Sequence, residues 1–319
     1  MNQRRLALIL SCIVSLTATA HPQNFSLSIM PVFSVHLGHM GEHLYTKSSA
    51  VENPQTSYLQ WEVLPLCTAG LDANINLFGA ELGVRFSLGF PKSNIGSMYD
   101  SDWFSNTFTK QSFSVSKEIL TEAYYTDATL GYSFALPKGA SIKPFAGFSY
   151  HFINISAPAG GSGTQDPNRT DSNVIAYDSP EAESFTTAQI DYWRESIFVW
   201  IGGSLCTKLT PTLKLSLTLA LSPFSSVLSS DHHYNNGGNY FNDKPFGFFC
   251  AAYSDVRARL ILNEHIGLEL GIKVTVLSTV YGKTYTAKTA GYLGKEESNS
   301  YAGASQHDAS VSFGVAFTF

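Results

Sequence analysis

The stretch Ile266-Gly267-Leu268-Glu269-Leu270-Gly271-Ile272-Lys273-Val274-Thr275-Val276 decides the fold. Six apolar side chains fall on its even positions, with glycines, a glutamate, a lysine and a threonine between them. Successive side chains of a strand point to opposite faces, whereas a helix repeats every ~3.6 residues. Six apolar positions at period two therefore make a strand with one apolar and one polar face.

The pattern recurs. Leu213, Leu215, Leu217, Leu219 and Leu221 alternate with Lys214, Ser216, Thr218, Ala220 and Ser222. Val256, Ala258, Leu260 and Leu262 alternate with Asp255, Arg257, Arg259 and Ile261, and Leu82, Val84, Phe86 and Leu88 with Glu81, Gly83, Arg85 and Ser87. The chain ends on Val311, Phe313, Val315, Phe317 and Phe319, again at period two. An aromatic last residue on an alternating last strand resembles the assembly signal of bacterial outer-membrane proteins.

Such strands suit a barrel wall with lipid outside and polar groups within, because a charge on the lipid face costs ~2–4 kcal/mol at the midplane. Turn-forming clusters of Gly, Pro and Asn divide the sequence into strands at 25–38, 57–76, 79–90, 113–136, 141–156, 185–207, 211–228, 247–262, 265–285 and 309–319. Short turns at 76–78, 137–140, 209–210 and 263–264 alternate with long polar segments at 39–56, 91–112, 157–184, 229–246 and 286–308. Short turns belong on the periplasmic side and long loops outside. Several strands exceed the ~9–11 residues that cross a bilayer, so the wall is expected to continue above it. The expected fold is an all-β, ten-stranded antiparallel transmembrane β-barrel extending above the outer membrane.

Composition agrees. Of 319 residues, 44% are hydrophobic and only 14% charged, with a net charge of -5. Nothing resembles the dense basic stripe that neutralises nucleic-acid phosphates. Residues 1–20 read as a signal peptide: Arg4 and Arg5, an apolar core from Leu6 to Leu16, and Ala18-Thr19-Ala20 at the cleavage site. A lipid-modified Cys12 is the lesser alternative, since the apolar stretch runs past it. The mature chain, 21–319, is read as one barrel domain. It has no apolar run of the ~20 residues that a spanning helix needs. Cys67, Cys206 and Cys250 are too far apart in sequence for a recognisable disulfide framework or metal site and read as small wall residues. Arg257 and Arg259 with Asp255, and Glu269 with Lys273, read as a charge network filling the lumen.

Two motifs stand at junctions of strands and long segments: Tyr99-Asp100-Ser101-Asp102-Trp103 and Ser230-Asp231-His232-His233-Tyr234. In extended chain Asp100 projects with Asp102, and Asp231 with His233. A carboxylate beside a histidine raises its basicity, and two close carboxylates share a proton. Facing each other, the pairs could deprotonate a water. Taken singly, each motif is also compatible with a turn or a surface cluster. Calcium at Asp100 and Asp102 lacks further spaced oxygen ligands. Zinc on His232 and His233 is disfavoured because neighbours on a strand diverge. No metal or cofactor is expected.

Together the motifs resemble the omptins, outer-membrane aspartyl-type endopeptidases with ten-stranded barrels. That family carries Asp-x-Asp-Trp on its second outer loop and Asp-x-His-Tyr on its fourth, as do Asp100–Trp103 and Asp231–Tyr234. The resemblance runs from about Leu37 to Phe319 and includes Gly41 to Tyr45, Gln60-Trp61 and Ala146-Gly147-Phe148. It implies His233 as general base oriented by Asp231, a water held against Asp100 and Asp102, and a protonated Asp100 stabilising the oxyanion. It also implies that Glu42 receives a basic substrate side chain. The family's second acidic residue for that side chain corresponds to Ser229, so binding of Arg or Lys is expected to weaken. Phe148-Ser149-Tyr150-His151-Phe152 lacks the charge pattern with which the family binds lipopolysaccharide, which places dependence on that lipid in doubt. The resulting expectation is a monomeric surface endopeptidase acting on peptides or proteins. The alternative is a non-catalytic barrel serving as adhesin or receptor; a diffusion porin is disfavoured by bulky inward side chains.

Overall fold

The computed structural model describes residues 25–48, 54–103, 110–159, 161–165, 183–184, 189–234 and 237–319. The signal-peptide reading of 1–20 and Cys12 lie outside them. Ten wall strands form one antiparallel ring. They are β1 Phe25–Thr46, β2 Gln55–Leu77, β3 in two pieces (Ala80–Gly89 and Asn94–Asp102), β4 Ser112–Tyr132 and β5 Ser141–Ala157. Then follow β6 Ile190–Lys208, β7 Leu213–His233, β8 in two pieces (Asn239–Gly247 and Ala251–Ile261), β9 Ile266–Ala287 and β10 Ser300–Thr318. Each strand pairs with the next, and β1 closes on β10 from Ser28↔Thr318 to Thr46↔Ser300. Closure removes the free edges that an open sheet would present.

The lower wall follows the alternation. Leu82, Val84, Phe86 and Leu88 on β3, Leu217, Leu219 and Leu221 on β7, and Leu270, Ile272 and Val274 on β9 are exposed on the outer face. Opposite them lies a lumen crossed by ion pairs. Arg257 reaches Asp255 at 2.7 Å, Glu269 at 3.2 Å and, across the barrel, Asp72 on β2 at 3.3 Å. Arg85 joins Asp72 at 2.7 Å, Arg259 joins Glu269 at 2.7 Å, and Lys273 stands 3.6 Å from Asp127. These groups line a polar cavity of about 450 Å³. The three cysteines are free, with Cys67 on β2, Cys206 on β6 and Cys250 at the break in β8 rather than within a strand.

Above this belt the strands run further than the sequence pattern suggests. Within the segments expected as the long connections 39–56, 91–112, 229–246 and 286–308, strand takes up much of the described part: β1 reaches Thr46, β3 Asp102, β7 His233 and β9 Ala287. Where both faces of a wall are polar or wet, hydrophobic alternation vanishes although the ladder continues, so the sequence signal fades before the strand does.

Five strands also change parity between the two halves, whereas β8, though broken, keeps its odd-numbered residues inward throughout. β3 and β8 are broken at 90–93 and 248–250. Register shifts lie on β2 between Val63 and Leu66, on β4 between Leu120 and Glu122, on β7 between Leu221 and Phe224, and on β9 between Leu277 and Val280. One extra residue turns every later side chain to the other face.

The lower outer face tests the membrane placement. Leu270→Arg puts a guanidinium where a side chain 51% exposed meets lipid. It is expected to destabilise the barrel in bilayers by ~2–4 kcal/mol in urea unfolding. Tyr292→Arg, in the β9–β10 connection, is expected to leave the unfolding midpoint unchanged.

Candidate active site

The first acidic pair depends on a bulge. Above the break in β3, register against β4 shifts between Asn94 and Gly96. Gly96 sits at φ +140, and a Cβ there would lie 2.6 Å from Glu62 Cβ, so glycine is required. Below the break the even-numbered Leu82–Leu88 face outward; above it Met98, Asp100 and Asp102 turn inward. Met98 is buried with Trp61 and Leu59, opposite which Met98 and Asp100 pair on β2.

A second bulge re-aims the other pair. Between Val199↔Phe224 and Ile201↔Leu221, β7 carries one more residue than β6, at Ser222-Pro223. The odd-numbered Leu217–Leu221 face outward, yet Val227, Ser229 and Asp231 are buried on the lumen side, and His233 shares their face. His233 Nε2 is hydrogen bonded to Asp231 Oδ2.

From opposite walls the pairs converge. Burial pushes Asp100 up to about 8, with the carboxylates of Asp102 and Asp231 adding to the rise and His233 opposing it. Asp102 is also raised by burial, against hydroxyl hydrogen bonds from Ser57 and Ser112 and the field of His233. For His233 burial works downward, but Asp231, Asp100 and Asp102 outweigh it and hold the imidazole above its usual value. Asp100 Oδ1 and Asp231 Oδ1 are buried with no hydrogen-bond partner in the protein. Buried acceptors of this kind call for a partner, which a bound water or reactant can supply.

Level with this group and just below it Met40, Leu59, Trp61, Met98, Ile190 and Tyr192 form an apolar plug, with Trp61 and Tyr192 stacked at 4.6 Å. The plug keeps bulk water from the carboxyls, which is why burial dominates their shifts.

Glu42 and Ser229 both face this lumen, 6% and 4% exposed. Ser229 pairs across the ladder with Asp243 on β8, whose carboxyl lies beside Glu42. Burial, then Asp231 and Asp243, hold Glu42 well above the usual carboxylate range; burial and Asp231 push Asp243 up to about 7. All six residues singled out in the sequence are thus brought together, and Asp243 joins them. It escaped sequence reading because 229–246 read as a loop, where no face can be assigned. The period-two register from Ser229 to Asp243 would have revealed it.

None of the curated protein sequences matches this chain. Among solved structures, the outer membrane protease OmpT from Escherichia coli superposes with a TM-score of 0.73 at 17% identity, covering 95% of this chain and 100% of that one. The outer membrane protein OprG from Pseudomonas aeruginosa follows at a TM-score of 0.39 and 7% identity, covering 93% and 96%. At 17% identity the likeness to OmpT is one of fold: an outer-membrane β-barrel. A family model described as "Pom: Protochlamydia outer membrane protein" matches residues 35–237, more than half of the sequence. The chain belongs to the Protochlamydia outer membrane protein family.

Proposed function

We propose that this barrel is an omptin-like endopeptidase that hydrolyses peptide bonds at the cell surface, its site facing the exterior. The observation that carries the reading is the meeting of Asp231–His233 with Asp100–Asp102 around two partnerless buried oxygens. Water bound between the pairs attacks the scissile carbonyl carbon, and its proton passes to the His233 nitrogen turned away from Asp231. Protonated Asp100 donates a hydrogen bond to the oxyanion as charge develops there. When the tetrahedral intermediate collapses, the proton on His233 goes to the departing amine. The roles require His233 neutral and Asp100 protonated at the same pH; burial favours the protonated Asp100, while the carboxylates around His233 favour its charged form and narrow the range in which both conditions hold. The adhesin or receptor reading keeps the barrel and omits this chemistry. A porin is opposed by the Arg257–Asp72 strut across the lumen.

The test is a pH–rate profile on a peptide library digested by refolded protein, read by mass spectrometry. Because His233 is held above its usual value, activity should rise as pH passes above ordinary imidazole titration. It should fall again as Asp100 loses its proton near 8. Asp100→Asn, which cannot deprotonate, should lose the alkaline limb from whatever activity it keeps. A parent protein that cleaves nothing across the library at any pH would leave only the binding reading.

A further inference from the structure

Three neighbouring strands, β2, β3 and β4, change parity at one level of the wall, just above the lipid-facing Leu82–Leu88. The ladder between β2 and β3 is interrupted there: pairing stops at Thr68↔Gly89 and resumes at Trp61↔Met98. Buried main-chain groups in such a gap must find other partners. On the β4 side the Lys92 and Leu120 N–H groups donate to the carbonyls of Leu120 and Ser93, at 2.7 and 2.9 Å. On the β2 side two carboxyls stand in for the missing carbonyls. Glu118 pairs with Gly96 across the β3–β4 ladder, and its Oε1 reaches past β3 to accept the Glu62 N–H at 3.0 Å. The Glu62 carboxyl comes back to β3, where Oε2 accepts the Ser97 N–H at 3.0 Å.

Glu118 is a costly residue in this place. It is 0% exposed, level with the equally buried Ile95 and Leu120, and the charge that acts on it is another carboxyl, that of Glu62. Burial holds its carboxyl well above the usual range, with the Glu62 N–H opposing the rise and the Glu62 carboxyl adding to it. A carboxyl that keeps its proton serves as a hydrogen-bonding group, and its carbonyl oxygen still accepts from an N–H. Without it the Glu62 N–H has no acceptor, and the joint loses a side chain that spans all three strands.

We infer that Glu118 is a positioning residue for the candidate active site: its carboxyl clasps β4 to β2 across the interrupted ladder and so fixes the extra residue of β3 at Ile95-Gly96, the bulge that turns Asp100 and Asp102 into the lumen. A slip of upper β3 by one residue would send both aspartates outward. Glu118 touches no substrate and acts only through the strand that carries the acidic pair. Its effect on a reaction rests on the endopeptidase reading; the clasp itself does not.

Two measurements on refolded Glu118→Ala and Glu118→Gln barrels in detergent test this, with folding checked by heat-modifiable gel mobility. In hydrogen exchange read by mass spectrometry, peptides covering 57–63 and 96–102 should exchange at least about tenfold faster in Glu118→Ala than in the parent, while 266–276 on β9 should not change. Glu118→Gln keeps a neutral carbonyl acceptor on a stem of the same length and should exchange as the parent does. On a peptide that the parent cleaves, Glu118→Ala should lower kcat at least about tenfold with KM within about twofold, and Glu118→Gln should keep kcat within about threefold of the parent. Should Glu118→Ala fail to fold, Glu118→Asp, whose carboxyl stops one methylene short of Glu62, takes its place with the same losses in smaller measure. Parent-like exchange in the folded Ala or Asp variant, or a Gln variant that fails as Ala does, overturns the clasp; faster exchange with parent-like kcat overturns the positioning role. A parent that cuts nothing while the exchange pattern holds retains the clasp and loses the endopeptidase reading.

Discussion

His233→Ala should reduce peptide hydrolysis by roughly 10²–10⁴-fold while leaving a folded barrel in the membrane. The imidazole lies between a carboxylate that orients it and two that raise its basicity. The field of His233 acts on both Asp100 and Asp102. Asp100→Ala should lose activity to a similar degree by removing the donor to the oxyanion. Each loss should be mainly in kcat, since the lost interaction matters most as charge develops. The double variant should be little worse than either single one, because the groups act on the same water. Assembly should persist: both residues sit in the upper wall, above the lipid-facing belt and apart from the ion pairs of the lower lumen. Stopped assays on detergent-refolded protein, with heat-modifiability as the folding control, measure both effects. Parent-like cleavage by both variants would dismiss the assignment.

Arg257→Leu should destabilise the barrel by ~3–5 kcal/mol, the cost of breaking a buried ion pair by removing one partner. Its guanidinium donates to Asp255 through Nε at 2.9 Å and Nη2 at 2.7 Å, and Nη1 lies 3.2 Å from Glu269 and 3.3 Å from Asp72. Asp72 and Glu269 keep Arg85 and Arg259, but Asp255 loses both hydrogen bonds in a lumen where it is 6% exposed. Arg257 also ties β8 to β2 across the barrel, so its loss removes a strut as well as a charge. Lys283→Leu breaks the exposed 2.7 Å pair with Glu296 and should not move the unfolding midpoint. A urea titration in detergent micelles compares the two. An Arg257→Leu barrel as stable as the parent would show that the lumen network is not a principal support of the wall.

Much of the lower barrel was legible in the chain. Leu82–Leu88, Leu213–Leu221 and Ile266–Val276 each announce a strand, and their charged neighbours announce the lumen. The clustering of Arg257, Arg259, Asp255 and Glu269 followed from parity alone. In the upper wall the same reading lost its footing. At Asp243 the outward neighbours are no longer uniformly apolar, so its stretch read as loop although it pairs with Ser229.

What the sequence by itself determined is which residues share a face within an uninterrupted run: Asp100 with Asp102, Asp231 with His233, and the leucines with one another. Only the tertiary structure decided which way the upper faces point. Continued without interruption, the alternation of Leu213–Leu221 would turn Asp231 and His233 outward, and that of Leu82–Leu88 would do the same to Asp100 and Asp102. The extra residue at Ser222-Pro223, and the break with its bulge at Gly96, send all four into the lumen. The physical reason is that the side-chain period is two, so one unpaired residue inverts everything beyond it. Where that residue falls is fixed by pairing with strands far away in the chain, and local sequence does not carry it.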